Sequence, residues 1–184
     1  HSFPTRRSSD LLQPLPVGEV GEIVAMGPQL FKGYWKQAEA TQQAFVTIEG
    51  QSYFRTGDMG RMDADGYFSY QARNDDMIIS AGYNIAGPEV ESALMQHPAV
   101  AECGVVGVSD IERGQVVMAF VVLKPGHTGA PALEKEIQEF VKQTIAPFKY
   151  PRRVVFCDAL PRTETGKLQR FKLRQQALAF NSEK

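Results

Sequence analysis

Two runs rich in valine and other apolar residues, Val100–Val108 and Val116–Leu123, constrain the fold of this chain more than any other feature. Runs of this length and composition are typical of buried β-strands. Apolar residues at helical spacing between Leu133 and Ile145 predict an amphipathic helix. Gly87-Pro88 followed by acidic residues predicts the start of an earlier helix. From about Met77 onward the predicted order is strand, helix, strand, strand, helix, strand, helix, which indicates a compact α+β unit.

Residues 16–74 show a different pattern, in which short β-rich segments alternate with turns. Val20–Met26 predicts one strand, and Tyr53–Thr56 predicts a second strand that Gly57-Asp58 ends. Asp65-Gly66 predicts the turn of a hairpin. Few helices are predicted to cover these strands. We therefore interpret this segment as the β-rich end of a larger domain that is truncated at its start.

The balance of charges and cysteines excludes several classes of protein. The 20 basic and 21 acidic side chains give a net charge of −1, which excludes a strongly basic nucleic-acid or membrane-surface protein. No apolar run approaches the roughly 20 residues that span a bilayer. Cys103 and Cys157 lie far apart, which argues against a disulfide scaffold or a cysteine zinc site and favours a reducing, cytoplasmic compartment. The histidines are too scattered for a metal cluster, and we assign no metal ligand.

The first residues do not resemble the rest of the chain. His1 stands where a methionine is usual, and the following stretch through Leu11 resembles a translated sequencing adapter. It lacks the apolar region and the small-residue cleavage site of a signal peptide. We expect residues 1–15 to be a non-native or disordered lead, and we expect upstream sequence to be missing.

The first chemically suggestive cluster is Tyr53-Phe54-Arg55-Thr56-Gly57-Asp58. An aspartate directly after a strand-ending glycine presents a free carboxylate, which can accept bonds from two vicinal hydroxyls, as on a ribose. The alternative for Asp58 is an ordinary Asx turn. A calcium site is a further alternative because several aspartates crowd this part of the chain, but their spacing does not match an EF-hand loop.

The second cluster runs from Arg73 to Asn84, where the two halves of the chain meet. One interpretation is a hinge in which Asp75 absorbs the backbone change while Arg73 stays with a bound nucleotide. Gly82 would let the backbone approach a ligand closely. The alternative is a solvated linker, which is the usual role of such a charged run.

The third cluster runs from Pro161 to Arg170 and contains Gly166-Lys167. It is not a P-loop, because Pro161 occupies the place of the first glycine and Leu168 replaces the required serine or threonine. What remains is a lysine on a flexible Gly/Thr loop before the last helix. Lys167 can reach a neighbouring site and stabilise negative charge on carboxylate and phosphate oxygens. The alternative is a surface lysine in a basic tail.

Together the three clusters resemble the C-terminal third of adenylate-forming enzymes, the superfamily of acyl-CoA synthetases, adenylation domains and luciferases. Tyr53–Asp58 matches its Y-x-R-T-G-D motif, Arg73–Asn84 its hinge motif, and Pro161–Lys167 its P-x-T-x-x-G-K motif. The resemblance covers about residues 17–178. Residues 75–91 are similar to acid:CoA ligases, particularly those for 2-aminobenzoate and benzoate.

The resemblance implies a fold and a division into domains. Residues 16–74 would be the C-terminal end of the large AMP-binding domain. Residues 75–184 would be the compact α+β lid domain, with small β-sheets packed against about three helices. The ATP phosphate loop, the acyl pocket and the Mg²⁺ ligand of the family would lie upstream, so we expect the chain alone to be inactive.

The resemblance also implies an activity and roles for residues. The partners would be ATP, CoA and a small carboxylate, aromatic or medium-chain, with no nucleic acid and no membrane span. Asp58 would hold the ribose hydroxyls, Arg73 the ribose or phosphate, and Lys167 the substrate carboxylate and α-phosphate. Rotation about Asp75 would replace Lys167 with a loop that lines the pantetheine tunnel, formed by Gly82 and Tyr83. Ala72 departs from the family, which usually has glycine before the hinge arginine.

Two other functions stay open at the level of the sequence. One is an adenylation domain that loads a carrier protein, although no Gly-x-x-Ser carrier motif precedes Lys184. The other is a non-enzymatic module that binds phosphate or RNA through the basic tail, although only Phe171 supplies an aromatic ring among those basic residues.

Overall fold

The computed structural model describes residues 2–8 and 11–181. Contacts within the chain divide it into two compact units, which meet between Asp75 and Asp76.

The first unit is built on a six-stranded antiparallel sheet with the strand order β2-β1-β3-β5-β4 and with β6 paired to β5. One short helix, α1, precedes β4. The elements are β1 (Ser2–Ser8), β2 (Leu11–Pro14), β3 (Val20–Ala25), α1 (Ala38–Ala44), β4 (Phe45–Ile48), β5 (Gln51–Met62) and β6 (Phe68–Arg73).

The start of the chain differs from the expectation of a disordered lead. Within the described residues, β1 pairs with both β2 and β3. The physical reason is that the edge of β3 offers unpaired backbone groups, which an adjacent segment can satisfy with few demands on its side chains. A non-native origin of residues 1–15 stays a prediction.

The second unit is a five-stranded sheet covered by helices. Its strands follow the order β11-β10-β7-β8, with β9 paired to β10. The pair β10–β11 is parallel, whereas β9–β10 and β7–β8 are antiparallel. The elements are β7 (Met77–Ser80), β8 (Tyr83–Ala86), α2 (Gly87–Leu94), β9 (Val100–Asp110), β10 (Gly114–Leu123), α3 (Pro131–Thr144), β11 (Arg153–Phe156) and α4 (Arg170–Asn181).

The side chains of β10 explain why its sequence is apolar throughout. Val117, Ala119 and Val121 join a core cluster that includes residues of α2 and α3. Met118 and Phe120 join a second cluster, which includes residues of α4. Successive side chains of a strand point to opposite faces, so a strand covered on both faces loses the usual alternation of apolar and polar residues. The α+β class with three helices packed on the sheet is confirmed.

The predicted single strand near Met77 is instead a hairpin of β7 and β8. Its two-residue turn has positive φ at both Ala81 (49°) and Gly82 (83°), as a type I′ turn requires. Alanine rarely adopts a positive φ, so the residues of this turn did not indicate a turn in the sequence. Among the described residues, no helix is both long and apolar enough to cross a membrane.

Candidate functional site

Strand β5 does not end at Gly57-Asp58, as the sequence predicted, but bulges there. Val24 of β3 lies opposite Arg55, whereas Glu22 lies opposite Met59. Only one residue of β3 therefore faces three residues of β5. Gly57 has a φ of 72°, a conformation that favours glycine. The glycine bends the strand without ending it, which is the usual role of a β-bulge beside a functional site.

The buried carboxylate of Glu22, which was not predicted from the sequence, stabilises the bulge through hydrogen bonds. Glu22 is 4% exposed, and its Oε2 accepts bonds from Nη2 and Nε of Arg55 at 2.7 and 3.2 Å. The Gly57 N–H donates to the other oxygen of Glu22 at 3.3 Å. A charged residue on the same strand face as the buried Val24 was the available signal.

A threonine closes the bulge on its other side. The Thr56 hydroxyl donates to the carbonyl of Ile23 at 2.6 Å and accepts a bond from the Asp58 N–H at 3.0 Å. The backbone around Asp58 is therefore fixed by side chains of the motif itself.

Asp58 and Arg73 face each other in the register of β5 and β6. Nη1 of Arg73 donates to Oδ1 of Asp58 at 3.0 Å and to the carbonyl of Thr56 at 2.8 Å. Nε of Arg73 lies 3.5 Å from the carboxylate of Asp75. Partial burial lowers the pKa of Arg73, but the hydrogen bond and charge of Asp58 and the charge of Asp75 outweigh it and raise the pKa. Arg73 is a permanent cation there.

An open cleft of about 330 Å³ lies beside this group in the first unit. Its lining includes charged residues and two aromatic residues: Glu22, Arg55, Arg73, Asp75, Tyr34 and Phe54. Phe54 packs edge-on against Phe31 at 5.2 Å, which holds its ring in place. Such a lining can bind a ligand that carries hydroxyls, a negative charge and a flat ring.

Gly82 and Tyr83 lie at the turn between β7 and β8 in the second unit. A Cβ added to Gly82 would meet nothing within 4 Å, so the turn is open on this side. The ring of Tyr83 stacks on Phe148 with a centroid distance of 4.4 Å. Both rings remain about half exposed. The turn therefore presents an aromatic surface to solvent.

Lys167 lies on a closed turn, which corrects the expectation of a flexible loop. Two hydrogen bonds join Thr163 and Lys167: the Thr163 N–H donates to the Lys167 carbonyl at 2.8 Å, and the Lys167 N–H donates to the Thr163 hydroxyl at 3.0 Å. Arg162 stabilises the turn: its Nη1 donates to the Gly166 carbonyl at 2.8 Å, and its Nη2 donates to Oε2 of Glu102 at 2.6 Å. The motif's threonine and glycine thus shape a turn, where composition alone suggested flexibility.

The ammonium of Lys167 differs from the neighbouring arginines, because it has no ion pair with any described residue. Three arginines of the predicted basic tail are paired: Arg162 with Glu102, Arg170 with Glu91, and Arg174 with Asp76. Across residues 2–8 and 11–181, no carboxylate pairs with Lys167. Its charge is available to a ligand.

The structure brings together some of the sequence-predicted residues and leaves others apart. In the first unit, Arg73 contacts both Asp58 and Asp75. In the second unit, Tyr83 lies at a strand turn and Lys167 just before α4, and no described contact joins the two places. Within the described ranges, no group of His, Cys, Asp and Glu has the arrangement of a metal site.

Comparisons with known proteins give consistent matches. Residues 89–167 match the family described as AMP-binding enzyme C-terminal domain. The mitochondrial acyl-coenzyme A synthetase ACSM3 of Mus musculus is 45% identical over 166 residues, which is 88% of this chain and 28% of that protein. This chain therefore spans less than a third of the length of such curated relatives.

Solved structures match nearly the whole chain. The ATP-bound RpMatB-BxBclM chimera B1 has a TM-score of 0.86 and 37% identity, covering 96% of this chain and 34% of that one. The anthranilate CoA ligase AuaEII in complex with anthranoyl-AMP has a TM-score of 0.80 and 37% identity, covering 97% of this chain and 34% of that one.

Proposed function

We propose that this chain is the C-terminal part of an acyl-CoA synthetase of the adenylate-forming superfamily, and that the complete protein is an acid:CoA ligase. In the first step an oxygen of the carboxylate attacks the α-phosphorus of ATP, and the bond to the departing pyrophosphate breaks. In the second step the CoA thiol loses its proton and attacks the acyl carbon, and AMP leaves.

The single observation that carries this proposal is the pairing of Asp58 with Arg73, which lines the cleft. Arg73 bonds one oxygen of Asp58 at 3.0 Å, and within the described chain no partner contacts the second oxygen. A carboxylate has about four acceptor positions, so Asp58 can still bind two vicinal ribose hydroxyls. Arg73 remains partly exposed and can contact the ribose or a phosphate.

Lys167 would serve the first step only. Its unpaired ammonium can bridge the substrate carboxylate and the α-phosphate, where negative charge develops during adenylation. Asp75 would be the hinge about which the second unit moves between steps, since it lies at the end of the first unit. Gly82 and Tyr83 would then line the pantetheine tunnel with their open turn.

We propose residues 16–74 as the end of the large AMP-binding domain and residues 75–184 as the lid domain. Mg²⁺ would accompany ATP and be held by residues outside this chain. The acid would be aromatic or medium-chain, with benzoate and 2-aminobenzoate as the first candidates, since a ligase of anthranilate is among the structural neighbours. The free thiols of Cys103 and Cys157 support a reducing cytoplasm as the location.

The other functions find less support in the structure. The basic tail has three of its arginines paired with carboxylates, which leaves little charge for phosphate or RNA. A carrier-loading adenylation domain would share the first step, and the second substrate, CoA or a carrier protein, distinguishes it. We propose no nucleic-acid partner.

The test uses the parent protein, which is this chain completed with its upstream sequence. Formation of CoA thioesters with ATP is measured for benzoate, 2-aminobenzoate and hexanoate. We expect Asp58→Asn to raise the KM for ATP about tenfold, because a charged hydrogen-bond acceptor for the ribose is lost. Asp65→Asn, the same change in an exposed turn of the same unit, should leave the KM unchanged. A parent that forms no thioester or adenylate with any acid would contradict the function.

A further inference from the structure

Glu22 is a buried charged residue for which the proposed chemistry has no direct use. It lies on β3, beneath the bulge of β5, and is 4% exposed. Buried carboxylates are costly unless they are paired and hydrogen-bonded, so a retained one needs an explanation.

Its contacts span the motif that carries Asp58. Glu22 binds Arg55 through two bonds to one oxygen and the Gly57 N–H through the other oxygen. These partners lie 33 and 35 positions further along the chain, on the other strand. One side chain therefore ties β3 to both sides of Thr56.

The shape of the bulge in turn determines where Arg73 lies. A Cβ added at Gly57 would come within 2.8 Å of Nη2 of Arg73, so the guanidinium packs directly on the glycine. Arg73 also bonds the carbonyl of Thr56 and the carboxylate of Asp58. A displacement of Gly57 would therefore move both groups assigned to the nucleotide.

We propose that Glu22 is a positioning residue for the nucleotide: through Arg55 and Gly57 it fixes the bulge that presents Asp58 and Arg73. This inference rests on the proposed function, because it assumes that these two residues bind ATP. Glu22 also lines the cleft, but its side chain is only 5% exposed, so it would act on the nucleotide through Arg55 and Gly57.

The experiment compares Glu22→Gln with Glu19→Gln in the parent protein. Glu19 is an exposed glutamate just before the same strand and is the matched control. We expect Glu22→Gln to raise the KM for ATP in pyrophosphate exchange about tenfold while kcat changes much less, because a charged, hydrogen-bonded partner is lost. The KM for the carboxylate should stay unchanged, and Glu19→Gln should leave all three parameters unchanged.

A rescue variant separates positioning from a general loss of stability. In Glu22→Gln with Arg55→Gln, two neutral side chains can hydrogen-bond and no guanidinium is left unpaired. We expect this double variant to restore the KM for ATP toward the wild-type value. Should Glu22→Gln fail to fold, Arg55→Lys keeps the charge but loses the two-bond geometry and should raise the same KM.

The outcomes of the inference and of the function are distinguishable. An active wild type in which folded Glu22→Gln or Arg55→Lys has an unchanged KM for ATP would overturn the positioning role alone. An equal rise in the KM for ATP and the KM for the carboxylate would also overturn it. So would a double variant whose KM for ATP does not return toward the wild-type value. A wild type without adenylation would instead overturn the proposed function.

Discussion

Asp58 and Arg73 form one residue pair that joins two strands and that the proposed function assigns to the nucleotide. Their pairing across β5 and β6 orients the carboxylate, yet it leaves one carboxylate oxygen without a partner in the described part of the chain. The alternative of an ordinary Asx turn does not explain this pairing. At the residue scale, the sequence motifs predicted roles for Asp58 and Arg73 but did not indicate the buried partner Glu22, whose contacts are long-range in sequence.

Cys103 gives a prediction that does not depend on the function. Burial, and to a lesser extent the nearby carboxylate of Glu91, raises the pKa of its thiol from 9.0 to about 12. The positive charge of Arg170 opposes this rise. The folded state thus favours the neutral thiol, and the free energy of unfolding should fall as pH rises above about 9.

Thiol labelling measures this shift at the residue scale. A disulfide reagent labels Cys103, and mass spectrometry measures the rate. We expect this rate to keep rising about tenfold per pH unit from pH 8 to 10. The same cysteine in denaturant should approach a plateau above pH 9. Equal rates in the folded and denatured chain at pH 8 would contradict the burial of this thiol.

At the scale of elements, the segments buried on both faces were predictable and the bent ones were not. β9 and β10 follow from long apolar runs because the helices cover both faces of their sheet. β5 was interrupted in the prediction because a Gly-Asp pair usually breaks a strand. In the structure, contacts from β3 keep the strand continuous through the bulge. The β7–β8 turn was missed because an alanine occupies one of its positive-φ positions.

Helix α4 should depend on one buried leucine that packs at a glycine of β9. Leu173 has no exposed area, and a Cβ added at Gly104 would come within 2.6 Å of its side chain. We expect Leu173→Ala to lower the free energy of unfolding by about 2–5 kcal/mol, as cavities in well-packed cores do. Denaturant unfolding of the chain checks this.

The matched control lies on the exposed side of the same helix. Phe171 is 49% exposed, so Phe171→Ala should change the free energy of unfolding by less than about 1 kcal/mol. Similar losses in the two variants would show that α4 does not pack on β9 through Leu173. The turn of Lys167 immediately precedes this helix, so its position relies on the same packing.

At the scale of the whole molecule, the division between Asp75 and Asp76 is the feature on which the proposed mechanism depends. Asp58 and Arg73 lie in the first unit, whereas Lys167, Gly82 and Tyr83 lie in the second. In the proposed function, two different groups of the second unit act in two successive steps, and a hinge between the units would let each group act in turn. The sequence motifs predicted these assignments, while the closed form of the Lys167 turn became visible only through its contacts.

The most direct test of this account measures the two steps separately in the parent protein with Lys167→Ala. We expect the rate of adenylation, measured by pyrophosphate exchange, to fall by about a hundredfold or more, since one charge that would stabilise the transition state is lost. Conversion of supplied acyl-adenylate to thioester should remain at the wild-type rate. Lys172→Ala, the matched lysine on α4, should change neither step. Normal adenylation by Lys167→Ala, or an equal loss in both steps, would contradict the account.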